Sequence, residues 1–198
     1  MNPFIRQFGK PSGILGKLLG KVMAVSNRKM HRAVLSELKD NSKLLEIGFG
    51  SGHQLEMISG KYPACELSGI DISADMLDIA KKRLGTKAGL YVCDCERTDF
   101  PDGYFDYVIT TDTCYFWNDP AKVLHEIKRI LRPNGRLILA YNSMYARAVH
   151  KSDPTKGMYD DAGIEKAVTD SGMKILSGKP CGMGQAVFVI SQDLPLSE

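Results

Sequence analysis

The stretch Lys43-Leu44-Leu45-Glu46-Ile47-Gly48-Phe49-Gly50-Ser51-Gly52-His53 constrains the fold more than any other part of this chain. Leu44, Leu45 and Ile47 form a short apolar run, which suits a strand covered on both faces of a parallel sheet. Three glycines at alternate positions break the run, and Gln54 to Ile58 then opens a helix. Glycine lets the backbone turn sharply and removes the Cβ atoms that would hold a ligand away. Amides left free at the helix start face an arriving carboxylate or phosphate. A strand, a glycine-rich turn and a helix in this order make a ligand site.

The spacing separates two ligand classes. A dinucleotide site of the G-x-G-x-x-G type needs its third glycine at position 53, which is His53. The pattern is instead Gly48-x-Gly50-x-Gly52, with Glu46 two residues upstream. A second strand, Leu67-Ser68-Gly69-Ile70-Asp71, ends on a carboxylate nineteen residues past Gly52. A doubly wound nucleoside site holds a ribose diol at that place.

With these segments the chain resembles the class I S-adenosylmethionine (SAM)-dependent methyltransferases. Within them it looks most like the small-molecule branch that includes the quinone-biosynthesis C-methyltransferases. The segments LLEIGFGSGH (44–53), GIDIS (69–73), CDCERTDFPDGYFDYV (93–108) and EIKRILRPNGRLIL (126–139) follow the family's order over about half the chain. The resemblance implies a Rossmann-like, doubly wound α/β sheet of seven strands, mostly parallel with an antiparallel edge strand, plus N-terminal helices. It also implies SAM as cofactor. Residues 1–40 then read as an N-terminal helical lid and 41–198 as the SAM-binding domain.

Composition agrees with a single globular domain: 198 residues, 43% hydrophobic and 25% charged. No apolar run approaches the roughly 20 residues of a membrane span. The cysteines at 65, 93, 95, 114 and 181 form no paired framework, which points to reduced thiols in a cytoplasm. Cys93 and Cys95 lack the spacing of a zinc site, and no metal is expected. The net charge of +3 hides an excess of +6 in residues 1–40, leaving −3 for the rest. That basic segment reads as a solvated helix face, or as one turned to an anionic ligand or membrane surface.

Ile14, Leu15, Leu18, Leu19, Val22 and Met23 recur at helical spacing with Lys17 and Lys21 opposite, so 14–25 reads as an amphipathic cover helix. A peripheral membrane helix is its alternative. A second helix starts at Ser26-Asn27 and aligns Met30, Val34 and Leu38. From Lys43 strands and helices alternate, the pattern of a parallel doubly wound sheet. The strands read as 43–48, 67–72, 89–93, 105–110 and 136–141. Ser73 and Asn118-Asp119-Pro120 cap two of the intervening helices. Segment 143–159 lacks periodicity and reads as a specificity loop. A last helix near Glu165–Val168 precedes two strands, 173–176 and 186–190, which in the family form the antiparallel pair.

The resemblance assigns site residues as follows. Asp71 takes the ribose diol, and Gly48, Gly50 and Gly52 admit the methionine part. Glu46 faces the ligand's ammonium group, and Ile72 and Met76 flank the adenine, although Met76 also fits a core position. Asp94 accepts from the adenine amino group and the amide of Cys95 meets a ring nitrogen. His53 and Thr111 complete the cofactor contacts. Methyl transfer is an in-line displacement that needs alignment in a dry pocket, with a base only where the nucleophile must lose a proton. Base candidates are His31, Asp112 and His150, with His53 better suited to the cofactor. Tyr115, Phe116 and Trp117 are available to line an apolar acceptor pocket.

Asp112 does not begin an N-P-P-Y motif, which argues against methylation of nucleic-acid bases or glutamine. Asp112 with Asn142 loosely resembles magnesium-dependent catechol methyltransferases, but their paired Asp-Asn at strand five is absent. The expected partner is a small, largely apolar acceptor, aromatic or anionic, without nucleic acid or integral membrane association. A SAM-binding protein without turnover and a nucleic-acid methyltransferase stand as alternatives.

Overall fold

A computed structural model describes residues 27–152, 158 and 160–192. The amphipathic segment 14–25 and most of the lid assigned to 1–40 lie outside the described residues. Seven strands form one sheet: β1 (Lys43–Ile47), β2 (Glu66–Asp71), β3 (Gly89–Val92), β4 (Phe105–Thr111), β5 (Leu131–Asn142), β6 (Met173–Gly182) and β7 (Gln185–Gln192). Their order is β3-β2-β1-β4-β5-β7-β6. Strands β1 to β5 pair in parallel, while β7 runs antiparallel to both β5 and β6. This is the Rossmann-like, mostly parallel α/β sheet expected from the sequence.

Consecutive apolar residues explain why both faces are covered. In a strand, neighbours point to opposite faces. Leu45, Val108 and Leu137 enter one core, and Leu44, Ile109 and Ile138 enter the other. The first core is closed by α4 (Pro120–Ile130), α5 (Ser143–Ser152) and α6 (Asp161–Asp170) through Val123, Leu124, Ile127, Val149, Ile164 and Val168. The second is closed by α1 (Arg28–Ser36), α2 (His53–Lys61) and α3 (Ala74–Leu84) through Met30, Val34, Leu55, Ile58, Ala80 and Leu84. Each of these Val, Leu, Ile and Met side chains contributes roughly 1.5–3 kcal/mol when fully buried.

The caps are those the sequence suggests for two helices. Ser73 accepts from the amide of Met76 at 3.4 Å, and Asp119 accepts from Lys122 at 3.1 Å with Pro120 in the first turn. Asp160 caps α6 through the amide of Gly163 at 2.8 Å. Asn27 opens α1 without a side-chain cap bond.

Several segments differ from the sequence reading, β5 among them, which begins at Leu131 rather than at 136. Residues 143–152 form α5 rather than a loop, because Ala146 and Val149 share a buried face and Asn142 Oδ1 accepts from the amide of Met144 at 2.9 Å. The remainder of that loop, apart from Met158, lies outside the described residues. Strands β6 and β7 are longer than the apolar runs that marked them, since β6 is extended by polar and glycine positions and β7 by Gln185, Ser191 and Gln192, all held in the antiparallel ladder. Pro180 is accommodated in the edge strand β6, next to an irregularity in its pairing.

Candidate functional site

The strand order reverses between β1 and β4, and ligands of open α/β sheets bind at the carboxyl ends beside such a point. A cleft opens there. It is walled by the glycine turn after β1, the end of β2, the segment Cys93–Glu96 after β3, and Thr111–Thr113 after β4. Asn27 and His31 of the α1 region close one side, and Phe116, Trp117, Asn118 and Val123 close another.

The glycine turn owes its shape to left-handed conformations: Gly48, Gly50 and Gly52 have φ of 75°, 52° and 74°. A Cβ on Gly48 would strike Thr113, and one on Gly52 would lie 3.0 Å from Leu84 Cδ1 and 3.1 Å from Ala80 Cβ. Gly48 therefore lets the turn approach the end of β4, whereas Gly52 lets α2 approach α3. Gly52 does not line the cleft, a placement that differs from the ligand contact expected of it.

Asp71 is 9% exposed and braces the turn. Its Oδ2 accepts from the amide of Gly50 at 2.9 Å and its Oδ1 from Ser73 at 2.8 Å. Burial pushes its pKa up against the opposing pull of these amides. Glu46 is 3% exposed, and its Oε2 has no hydrogen-bond partner among the described residues. Burial and then the charge of Asp71 push its pKa well above the usual carboxylate range. Gln54 accepts from the hydroxyl of Thr111 at 2.9 Å and leaves Nε2 unpartnered, and Trp117 Nε1 and His31 Nδ1 are likewise buried without partners among the described residues. An orphaned buried polar group costs about 1–3 kcal/mol. Four such groups on residues that line one cleft mark it as built for a polar ligand.

Five carboxyl side chains line this cleft, from Glu46, Asp71, Asp94, Glu96 and Asp112. A cationic ligand there would favour their ionised forms. Ile72 and Met76 both line it, Met76 fully buried and Ile72 45% exposed. Cys95 lines it too, its thiol pushed up to about 12 by burial and then by Asp94, so it stays protonated.

Asp112 also lines the cleft, but its carboxylate is committed. It accepts from Asn27 Nδ2 at 2.7 Å, from the amide of Asn142 at 2.9 Å and from the phenol of Tyr115. Burial lifts its pKa to about 6 against these donors. Tyr115 lies inside the core rather than in the cleft, which leaves Phe116 and Trp117 of that run, together with Phe49, in the cleft's lining. His150, on α5, is not among the residues that line the cleft. His31 and His53 do meet there, with ring centroids 5.8 Å apart. Sequence reasoning missed Gln54 and Asn27. A polar residue in the first turn after a glycine loop was a usable signal for Gln54, whereas nothing local marks Asn27.

The fold is that of the class I SAM-dependent methyltransferases, and comparison with known proteins agrees. Residues 45–139 match the methyltransferase domain family. The chain is 28% identical over 134 residues to the uncharacterized methyltransferase YdaC of Bacillus subtilis, covering 66% of this chain and 74% of that protein. It is 31% identical over 127 residues to the demethylmenaquinone methyltransferase of Thermotoga maritima, covering 64% of this chain and 54% of the relative. The chain thus spans about half of that quinone-pathway enzyme. A SAM-dependent methyltransferase from Aquifex aeolicus has the same fold, with a TM-score of 0.71 at 18% identity over 94% of this chain and 95% of the other. Residues 45–139 are thus a methyltransferase domain, carried on the fold of the SAM-dependent enzymes.

Proposed function

We propose that the protein transfers a methyl group from SAM to a small-molecule acceptor bound between the α1 region and Phe116. The observation that carries this reading is the pairing of Asp71 at the end of β2 with buried Glu46, whose Oε2 has no partner among the described residues, in one cleft. Asp71 offers its free lone pairs to the ribose diol, and Glu46 Oε2 receives the ammonium group. Gly48 and Gly50 bring the backbone close to the methionine part, with Thr111 and Gln54 beside it. Ile72 and Met76 flank the adenine, while Asp94 and the amide of Cys95 meet its polar edge. SAM supplies an electrophilic methyl on a sulfonium. The chain's own share is to align the acceptor, exclude water and accept any proton released.

The acceptor side is formed by Asn27 and His31 together with Phe116. Residues 1–40 act as its cover in this reading, since Asn27 and His31, before and within α1, already supply polar groups there. The name of the demethylmenaquinone methyltransferase supports a small-molecule acceptor. Calorimetry with SAM and NAD tests the assignment. SAM binds and NAD does not, and Asp71→Ala weakens SAM by about 1–3 kcal/mol. NAD binding without SAM binding would sink the reading.

A further inference from the structure

Methylation of an O–H or N–H group forms a bond to carbon and returns the electron pair of the broken C–S bond to sulfur. One proton is left over, inside a buried cleft, and it must reach water. Asp112 is poorly placed to take it, because its carboxylate is already held by Asn27, Asn142 and Tyr115. The thiol of Cys95 stays protonated.

A different set of groups steps from the cleft to the surface. His31 is 6% exposed, lines the cleft, and has Nδ1 buried without a partner among the described residues. The ring of His53, also lining the cleft, lies 5.8 Å away and tilted by 51°. The His53 side chain is 26% exposed, with Nδ1 3.7 Å from Glu56 Oε2. Glu56 is more exposed still and is held by Arg83 Nη1 at 2.7 Å. Arg83 is fixed in turn by the carbonyl of Ser51 at 2.8 Å. A buried imidazole, a half-buried imidazole and an exposed carboxylate thus follow one another outward.

We propose that His31 and His53 form the proton exit of the acceptor site, which makes the acceptor a protic one that presents an O–H or N–H to His31 Nδ1. This rests on the methyl-transfer reading above. His31 takes the proton at Nδ1 as the Nε2–H tautomer, and His53 carries it to Glu56 and solvent. Burial and the neighbouring His53 hold the pKa of His31 at about 4, so it meets the acceptor neutral and does not retain the proton. Arg83 keeps Glu56 in place for the last step.

The test uses the full chain, methyl-labelled SAM and defined probes: catechol, 1,4-dihydroxynaphthalene and 2-aminophenol as protic acceptors, with dimethyl selenide as a proton-free one. Transfer is expected to at least one protic probe and not to dimethyl selenide. His31→Gln lowers kcat on that probe about a hundredfold, and His53→Gln about tenfold. Added imidazole restores part of the His53→Gln loss, a rescue that a packing role would not permit. His53 is partly exposed, so its variant carries the test even where His31→Gln fails to fold. Transfer to dimethyl selenide alone, no transfer to any protic probe by SAM-bound protein, an unchanged kcat in His53→Gln, or a loss without rescue each overturns the proposal. Failure of SAM to bind, read separately by calorimetry, removes the reading beneath it.

Discussion

Asn27 donates from Nδ2 to Oδ2 of Asp112 at 2.7 Å across 85 positions of sequence. The bond fastens the start of α1 to the end of β4, and the other oxygen of Asp112 fastens the end of β5 through the amide of Asn142. Asp112 adopts φ 57°, a left-handed conformation that is uncommon outside glycine. The residue is a clasp joining the acceptor side of the cleft to the sheet.

Asp112→Ala leaves the donors of Asn27 and Asn142 without this acceptor. Stability is expected to fall by about 1–3 kcal/mol, read from urea unfolding near neutral pH. An unfolding curve like that of the unaltered protein would show that the clasp holds nothing.

Opposed pH effects follow from Asp112 and His31. The folded pKa of Asp112, about 6, lies above the ordinary carboxylate value, so its contribution is full below about pH 4 and is lost as pH rises through 6. The folded pKa of His31, about 4, lies below the ordinary imidazole value, so its contribution is full above about pH 6.5 and is lost as pH falls through 4. The two offset each other between these limits. Asp112→Asn removes one of them, and its stability should drop between pH 6.5 and 4.5 by up to about 3 kcal/mol more than the unaltered protein's. Parallel curves for the two proteins would contradict this.

Gly52→Ala places a Cβ 3.0 Å from Leu84 and 3.1 Å from Ala80 at a φ of 74°. The strain of the left-handed position is about 1–3 kcal/mol, before any shift of α3. Thermal unfolding should show the loss, and SAM affinity should fall with it because the turn moves. A Tm equal to that of the parent would mean that α2 and α3 separate freely.

Arg129 gathers the segment that carries Asp94 and Cys95. It bonds Glu126 at 2.6 Å, Asp102 at 2.6 Å and the carbonyls of Phe100 and Thr98. Burial pushes the pKa of Glu126 up, but Arg129 and Thr98 outweigh it and hold the carboxyl down at about 2. Its contribution is therefore present above about pH 4.3 and lost as pH falls toward 2. Arg129→Ala should cost about 3 kcal/mol at neutral pH by leaving a buried carboxylate, and should flatten the stability profile between pH 4.3 and 2. An undiminished acid dependence would place the linkage on another group.

Much of the architecture was legible in the chain because its causes are local. The apolar pairs Leu44-Leu45 and Val108-Ile109 announce strands covered on both faces. Ser73 and Asp119 cap helices through amides three residues away, and the glycine spacing with Asp71 marks the nucleoside cleft. Segment 143–152 was misread because α5 buries only a narrow stripe, Ala146 and Val149, with polar residues around it.

What only the tertiary structure decided depends on groups far apart in sequence. Asp112 looked like a base by position, yet packing surrounds its carboxylate with donors from α1, β5 and the turn after β4. His150 matched His31 in residue type, but only His31 lines the cleft, where α1 brings it against His53. Gly52 looked like a ligand contact and instead spaces two helices. Local pattern specifies backbone conformation and which face is apolar. The partner of a buried polar group is set by where long-range packing puts the next strand or helix.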